Sequence, residues 1–270
     1  MVAVGAVWAK SQPDARIGIF FLGLLAVLFF IVMVYQQFRY SRKARYVESL
    51  QMLTAAFLDA QDASPEAMAN SEPITSITNL IAEAFTVLTG TQCAACVKFV
   101  QPTAESSDLE FVTLCRSTHS KDRDAAHGRV RHSLQKNSAL LWIFEHVGQP
   151  EMEVFFEDDL PGRPHYENTS FEVYGKPKED RPMFLNPLRR RMTWRLPYQS
   201  VILSPIVPRL SGEKEKIVGF LAVDSRSRKA FYRRYDIQLV RSLAAALHPL
   251  VYEWLSKKYP KQENLNDKKG

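Results

Sequence analysis

The chain has 270 residues, 46% of them hydrophobic, and a formal net charge of +6. That length allows one membrane anchor and one compact domain with a sizeable core. Fifteen prolines and eleven glycines are ordinary usage and exclude a fibrous or wholly disordered chain, and three cysteines, an odd count, argue against a disulfide framework and fit a reducing compartment.

The first element is an unbroken apolar run over residues 17–34, IGIFFLGLLAVLFFIVMV. With Tyr35 it gives about 27–28 Å of helix, close to the hydrocarbon thickness of a bilayer. The reading is a short extracytoplasmic tail over 1–16 and a single transmembrane helix over 17–36. Lys10 and Arg16 precede the run, whereas Arg39, Arg42, Lys43 and Arg45 follow it. That imbalance predicts an inner-membrane protein with its N-terminus outside and its C-terminal domain in the cytoplasm. The run is longer than a signal-peptide core, and no small-residue cleavage site precedes Arg39. Gly18 and Gly23 lack the spacing of the close-packing helix dimer motif.

Residues 37–60 read as a stalk helix. Val47, Leu50, Thr54 and Phe57 fall at helical spacing, with Leu53 and Leu58 beside them, and are expected to pack on the domain or on a second copy. Residues 61–74, with small, polar and proline residues, read as a linker. A globular domain is expected over 75–256, and a flexible basic tail over 257–270.

Within that domain a helix follows Thr75 or Ser76, with Ile77, Leu80, Ile81, Ala84, Phe85 and Leu88 on its apolar face and Gly90 at its end. CAACVKFVQP and LEFVTLCRS read as a hairpin of two strands. The polar stretch 118–135 reads as a loop. Asn137 or Ser138 opens a short helix, MEVFF is a short strand, and 160–196 is a long polar segment. Two firm strands, SVILSPIVP and KIVGFLAVDS, precede a last helix over about 236–256, where Pro249 is expected to kink the backbone. The fold class is α+β: an antiparallel sheet of five or six strands, terminal helices on one face, and loops over the other.

Motif chemistry is sparse. The basic cluster Arg189, Arg190, Arg191 and Arg195 suits a solvated face, lipid headgroups or an anionic ligand, whereas the group Arg226, Arg228, Lys229, Arg233 and Arg234 reads as a solvated face. No zinc-finger, helix-turn-helix or RNA-binding pattern is present, so nucleic acid is not an expected partner. The six histidines form no metalloprotease motif. There is no nucleophile elbow and no glycine-rich phosphate loop, so catalysis has no sequence support. Cys93, Cys96, Cys115 and His119 have a zinc-like spacing, but Cys96 and Cys115 lie in apolar strand runs, where a cysteine behaves as a small buried hydrophobe.

The order of these elements resembles the GAF domain family. YQSVILSPIV is similar to a family strand ending in a serine, four residues and proline-isoleucine, and KIVGFLAVDS is similar to its glycine-x-leucine-x-valine-aspartate strand. Phe231, Asp236 and QLVRSLAAALHPLVYEWL are similar to its closing helix, and KNSALLWIFEH with VFFEDDL resembles a pocket-flanking segment. The resemblance spans about 75–252 and implies a small-molecule pocket between the sheet and the loops, drawn from 137–171 and 184–200. The ligand-binding candidates there are Asp158, Asn168, Arg195, Tyr198 and Ser200. Neither the cyclic-nucleotide motif of phosphodiesterases nor the phytochrome chromophore cysteine has a counterpart. A methionine-sulfoxide-reducing GAF enzyme has cysteines spaced differently from these three.

The expected function is a membrane-tethered sensory or regulatory module; no cofactor is assigned. Its expected partners are the lipid bilayer, a second copy through the stalk and terminal helices, and an output protein. A non-catalytic scaffold is the alternative, and a redox or sulfoxide-reductase-like enzyme a minor one. A cavity on which Arg195, Tyr198 or Asp158 converge favours the sensor. A core filled by Trp142, Phe144, Phe155, Phe156 and Phe171 favours the scaffold.

Overall fold

Nearly every residue of the two late strands is buried, and their side chains point alternately to the two faces of the sheet. In the computed structural model, residues 13–102, 109–123, 132–146, 154–178, 186–208 and 217–259 are described. The chain divides into two units, one ending at Glu48 and one starting at Ser49.

Helix α1 spans Pro13–Gln61, so the apolar run and the stalk are one helix. Within the first unit, the window Phe20–Gln37 is long and apolar enough to cross a membrane and has none of its residues buried. In the second unit, α1 buries Ser49, Leu53, Ala56 and Ala60, while Leu50, Thr54 and Leu58 face outward. The buried face is therefore not the stripe expected from the sequence. Small side chains at 49, 56 and 60 let the helix approach closely, and the Ser49 hydroxyl donates to the Ala84 carbonyl at 3.3 Å.

The stretch read as a linker contains helix α2 (Pro65–Ala69), whose first turn is capped by the Ser64 hydroxyl accepting from the Ala67 N–H. Helix α3 (Glu72–Thr89) begins earlier than expected. Its start is Pro73 in the first turn, which suits proline because no N–H is needed there, and it ends at left-handed Gly90.

Six strands follow: β1 (Cys93–Pro102), β2 (Leu109–Arg116), β3 (His132–Ser133), β4 (Phe155–Glu157), β5 (Ser200–Ile206) and β6 (Gly219–Ser225). They form one antiparallel sheet in the order β3-β2-β1-β6-β5-β4. The two-residue β3 lies inside the polar stretch read as loop. Helix α4 (Ser138–His146) and the short helices α5 (Phe171–Tyr174) and α6 (Asn186–Thr193) belong to the loop layer, and α7 (Arg233–Lys258) closes the domain, running through Pro249.

Register assigns each strand residue to a face. Val97, Leu221, Val223 and Ile202 point toward α3 and α7, where Ile77, Ile81, Phe85, Val240 and Leu247 complete a core with no exposed side chain. The Phe99 ring meets Trp254 of α7 edge-on at 5.5 Å. On the other face, Val201, Leu203 and Phe220 meet Phe111, Leu140, Ile143, Phe155, Tyr166 and Phe171. This is the layering implied by the GAF resemblance: terminal helices on one face of the sheet and loop segments on the other. A close backbone approach fixes the centre of the sheet. A Cβ on Gly219 would lie 2.2 Å from the Lys98 carbonyl oxygen, so only glycine allows β6 to pair with β1 there.

Candidate functional site

Between the sheet and the loop layer lies a cavity of about 80 Å³. Its floor is set by the period of two. Cys96 and Lys98 of β1, Arg116 of β2, Val201 and Leu203 of β5, and Ala222 and Asp224 of β6 all project to this face. Its roof comes from Asn137, Tyr166, Asn168 and Tyr198, and Arg123 enters from the segment after β2.

The dominant interaction joins Arg123 to Asp224. Two guanidinium nitrogens donate to the two carboxylate oxygens, at 2.7 and 3.0 Å. Both side chains are less than one-tenth exposed. Burial works against a charge on Arg123, but the Asp224 carboxylate, by its charge and its hydrogen bonds, outweighs burial and raises the guanidinium pKa. The same guanidinium stands 5.3 Å from the centre of the Tyr198 ring.

Two tyrosine hydroxyls meet at Asn168, whose side-chain nitrogen contacts the Tyr166 oxygen at 3.1 Å and the Tyr198 oxygen at 3.2 Å. Burial raises both phenol pKa values, and for Tyr198 the neighbouring Tyr166 adds to the rise, so both hydroxyls stay protonated and able to donate. The Trp194 indole donates to the Tyr198 carbonyl at 2.7 Å and packs edge-on against Phe171 at 5.5 Å. A second polar network fixes the roof. His132 Nδ1 lies 2.6 Å from the Thr169 hydroxyl, and the Asn137 side chain bonds to Thr169 and to the Ser133 carbonyl.

Of the residues singled out from sequence, Asn168 and Tyr198 line this cavity together. The other three lie elsewhere. Ser200 pairs with Ser225, one residue out of phase with Val201 and Asp224, so it faces the helices. Its hydroxyl donates to the Ser227 carbonyl at 2.8 Å. Arg195 is exposed beside Gly175. Asp158 accepts from the Lys229 N–H through its backbone carbonyl, at 2.6 Å, and its carboxylate does not line the cavity. Asp224, the aspartate of the glycine-x-leucine-x-valine-aspartate strand, supplies the cavity's carboxylate. Arg123, Arg116, Lys98 and Tyr166 had no motif to mark them; for the strand residues the available signal was phase, since Lys98 is two residues from Cys96 and Asp224 two from Ala222.

The zinc-like set does not assemble. Three residues apart on one strand, Cys93 and Cys96 point to opposite faces, and Cys115 pairs across from Val97 with its thiol 3.2 Å from the Thr78 hydroxyl on the helix side. The His119 ring nitrogen instead contacts the Cys93 carbonyl at 3.2 Å. Among the described residues no group of three histidine, cysteine or acidic side chains is placed to hold a metal. Burial pushes the Cys93 thiol up to about 11 and the Cys115 thiol up to about 12, the behaviour of packed thiols rather than reactive ones.

The expected aromatic filling is present beside the cavity. Phe155 and Phe171 are buried, Trp142 and Phe144 pack half-buried against them, and Phe111 meets Phe220 edge-on at 5.2 Å, whereas Phe156, also expected there, pairs with Ile202 in the phase that faces the helices. The loop face is thus part apolar core and part polar cavity. At about 80 Å³ the space exceeds what one water needs several-fold, yet it is well below the ~300–1,000 Å³ of pockets for drug-sized ligands. In this conformation it fits a molecule of a few heavy atoms and not a nucleotide.

No family model matches the sequence, and no curated protein does. Solved structures similar to this chain include the GAF domain of the Acinetobacter phosphoenolpyruvate-protein phosphotransferase, at 13% identity and a TM-score of 0.45, over 78% of this chain and 95% of that one. The GAF domain of a phosphoenolpyruvate-protein phosphotransferase from Coxiella burnetii gives 15% and 0.46, over 78% and 96%. The type II free methionine-R-sulfoxide reductase from Thermoplasma acidophilum gives 17% and 0.41, over 68% and 96%.

Proposed function

We propose that this protein is a membrane-tethered regulatory module whose domain binds a small anion in the cavity between sheet and loops. One observation carries the reading. The lining brings three cationic side chains, Lys98, Arg116 and Arg123, together with one carboxylate, Asp224, two tyrosine hydroxyls and two carboxamides. Guanidinium groups and neutral phenols are donors suited to a carboxylate or phosphate oxygen. The apolar floor of Val201, Leu203 and Ala222 sets the size.

The tether is α1. Its apolar window is long and apolar enough to span a bilayer, and the basic residues after it favour a cytoplasmic domain. Ligand entry would order the roof segments around Asn137 and Asn168, and the change would pass to an output partner or to a second copy along the outward stripe of Leu50, Thr54 and Leu58. A thermal-shift series on the full chain in detergent tests the binding step, using small mono- and dicarboxylates, inorganic phosphate, and neutral amides of matched size. Anions are expected to raise the melting temperature and neutral analogues to leave it unchanged. Equal responses, or none, would contradict the reading.

The scaffold reading draws its support from the aromatic cluster of Phe111, Phe155, Phe171 and Phe220, which already fills much of the loop face. It predicts no ligand response and no loss of partner binding when Arg123 and Asp224 are both replaced.

A further inference from the structure

One end of the domain gathers charge of a single sign. There β6 stops and β1 starts, joined by the Ser225 hydroxyl donating to the Gln92 carbonyl at 3.0 Å. The entry of α1 lies at this end too. Ser49 contacts Ala84 late in α3, and the next residue, Phe85, meets Phe231 at 6.0 Å between ring centres. Between β6 and the first turn of α7 stand Arg226, Arg228, Lys229, Arg233 and Arg234, all exposed. Among the described residues none of the five has a carboxylate within ion-pair distance. Of the neighbouring acids, Asp159 pairs with Arg191 and shares a surface pocket with Arg226, Arg228 and Lys229, Asp158 accepts from the Lys229 N–H through its backbone carbonyl, and Asp236, 1% exposed, accepts from the Tyr232 N–H. Two half-exposed tyrosines, Tyr232 and Tyr235, sit in the same segment with ring centres 5.4 Å apart, and the Arg234 guanidinium lies over Tyr235 at 5.5 Å.

We propose that this segment, 226–235, is a membrane-surface contact that seats on the headgroups of anionic phospholipids. The proposal rests on the tether reading above. Exposed cations often do no more than face solvent, and two observations favour lipid here. The first is the short connection: only eleven residues separate Gln37, the end of the apolar window, from Ser49, where the second unit begins. The second is composition. Arginine and lysine interleaved with half-exposed tyrosines are the residues that settle at the headgroup level, and their attraction to an anionic leaflet acts over about a Debye length. A seat there would also hold the chain two residues beyond Asp224, linking bilayer charge to the cavity.

The test uses the full chain reconstituted in lipid nanodiscs, either of phosphatidylcholine alone or with phosphatidylglycerol added. Acylation of Lys229 and amide exchange over 226–235 are read by mass spectrometry. Several-fold slower Lys229 labelling in the anionic discs, lost at high salt and lost when Arg226, Arg228, Arg233 and Arg234 are replaced by Gln with circular dichroism unchanged, is the expected result. Equal labelling in both lipids would overturn the proposal. So would protection in phosphatidylcholine discs on adding inorganic phosphate, which would make the segment a free-anion site. Flotation of the chain with vesicles after a carbonate wash is a separate readout: a chain that stays in the pellet sinks the tether and this contact together, whereas flotation without Lys229 protection sinks the contact alone.

Discussion

Arg123 and Asp224 are 101 positions apart in sequence and form a two-pronged ion pair at 2.7 and 3.0 Å, buried on the loop face of the sheet. The pair ties the segment after β2 to the end of β6 and forms one wall of the cavity. Removing one partner leaves the other charge buried without compensation. Arg123→Ala is therefore expected to cost about 3–5 kcal/mol, a large part of a typical domain's stability of ~5–15 kcal/mol. The double variant Arg123→Ala with Asp224→Ala should recover part of that loss. Urea titrations of both variants check this; an Arg123→Ala cost below about 1 kcal/mol would mean the pair behaves as an exposed one.

Gly219 makes the sheet centre possible because its missing side chain leaves room for the Lys98 carbonyl. Gly219→Ala places a methyl against backbone, which cannot rotate away as a side chain can. A loss of at least about 2 kcal/mol is expected, together with faster amide exchange in both β1 and β6. Unchanged exchange in β1 would contradict the register.

Much of this arrangement could be read from the sequence, and the rest had a physical reason to stay hidden. The continuous apolar runs in SVILSPIVP and KIVGFLAVDS mark two buried strands, and the strand period orders the faces of Asp224 and Ser200 once their pairing is known. The pairing itself depends on a register that no local signal sets, which is why Ser200 read as a ligand group and Asp224 did not. Arg123 lies in a polar stretch with no periodicity, and its partner is far away in the chain. The stalk misled for a related reason. The stripe Val47, Leu50, Thr54 and Phe57 suggested the packing face, but close helix contact selected a face on which the small residues Ser49, Ala56 and Ala60 flank Leu53.

Alkaline pH should unfold the domain through its buried acids. In the folded protein the Cys93 thiol is raised from 9.0 to about 11 and the Cys115 thiol from 9.0 to about 12, in both cases chiefly by burial. A raised folded-state pKa on a thiol means that the neutral form is favoured on folding. The contribution is present in full below the unfolded value and is lost as pH rises toward the folded one. Stability measured by urea at fixed temperature should stay level up to about pH 9 and fall above it. Tyr166 and Tyr198 act in the same direction. A thiol reagent should leave all three cysteines unlabelled at neutral pH until denaturant is added.

Asn168 joins the two phenols of the roof, contacting Tyr166 at 3.1 Å and Tyr198 at 3.2 Å. Tyr198→Phe keeps the ring over Arg123 and deletes one contact. A cost of about 1 kcal/mol in stability is expected, with a larger proportional loss in ligand response, because the hydroxyl is also a donor into the cavity. Equal loss of stability and response would make the hydroxyl purely structural.

The central claim is that the cavity beside Arg123 and Asp224 takes a small anion. Isothermal titration of the full chain in detergent with the strongest anion from the thermal-shift series tests it most directly. The account predicts saturable binding to one site per chain, abolished in Arg116→Gln with the fold retained, and absent for the neutral analogue. Binding that survives Arg116→Gln unchanged, or heats that do not saturate with any anion, would contradict it.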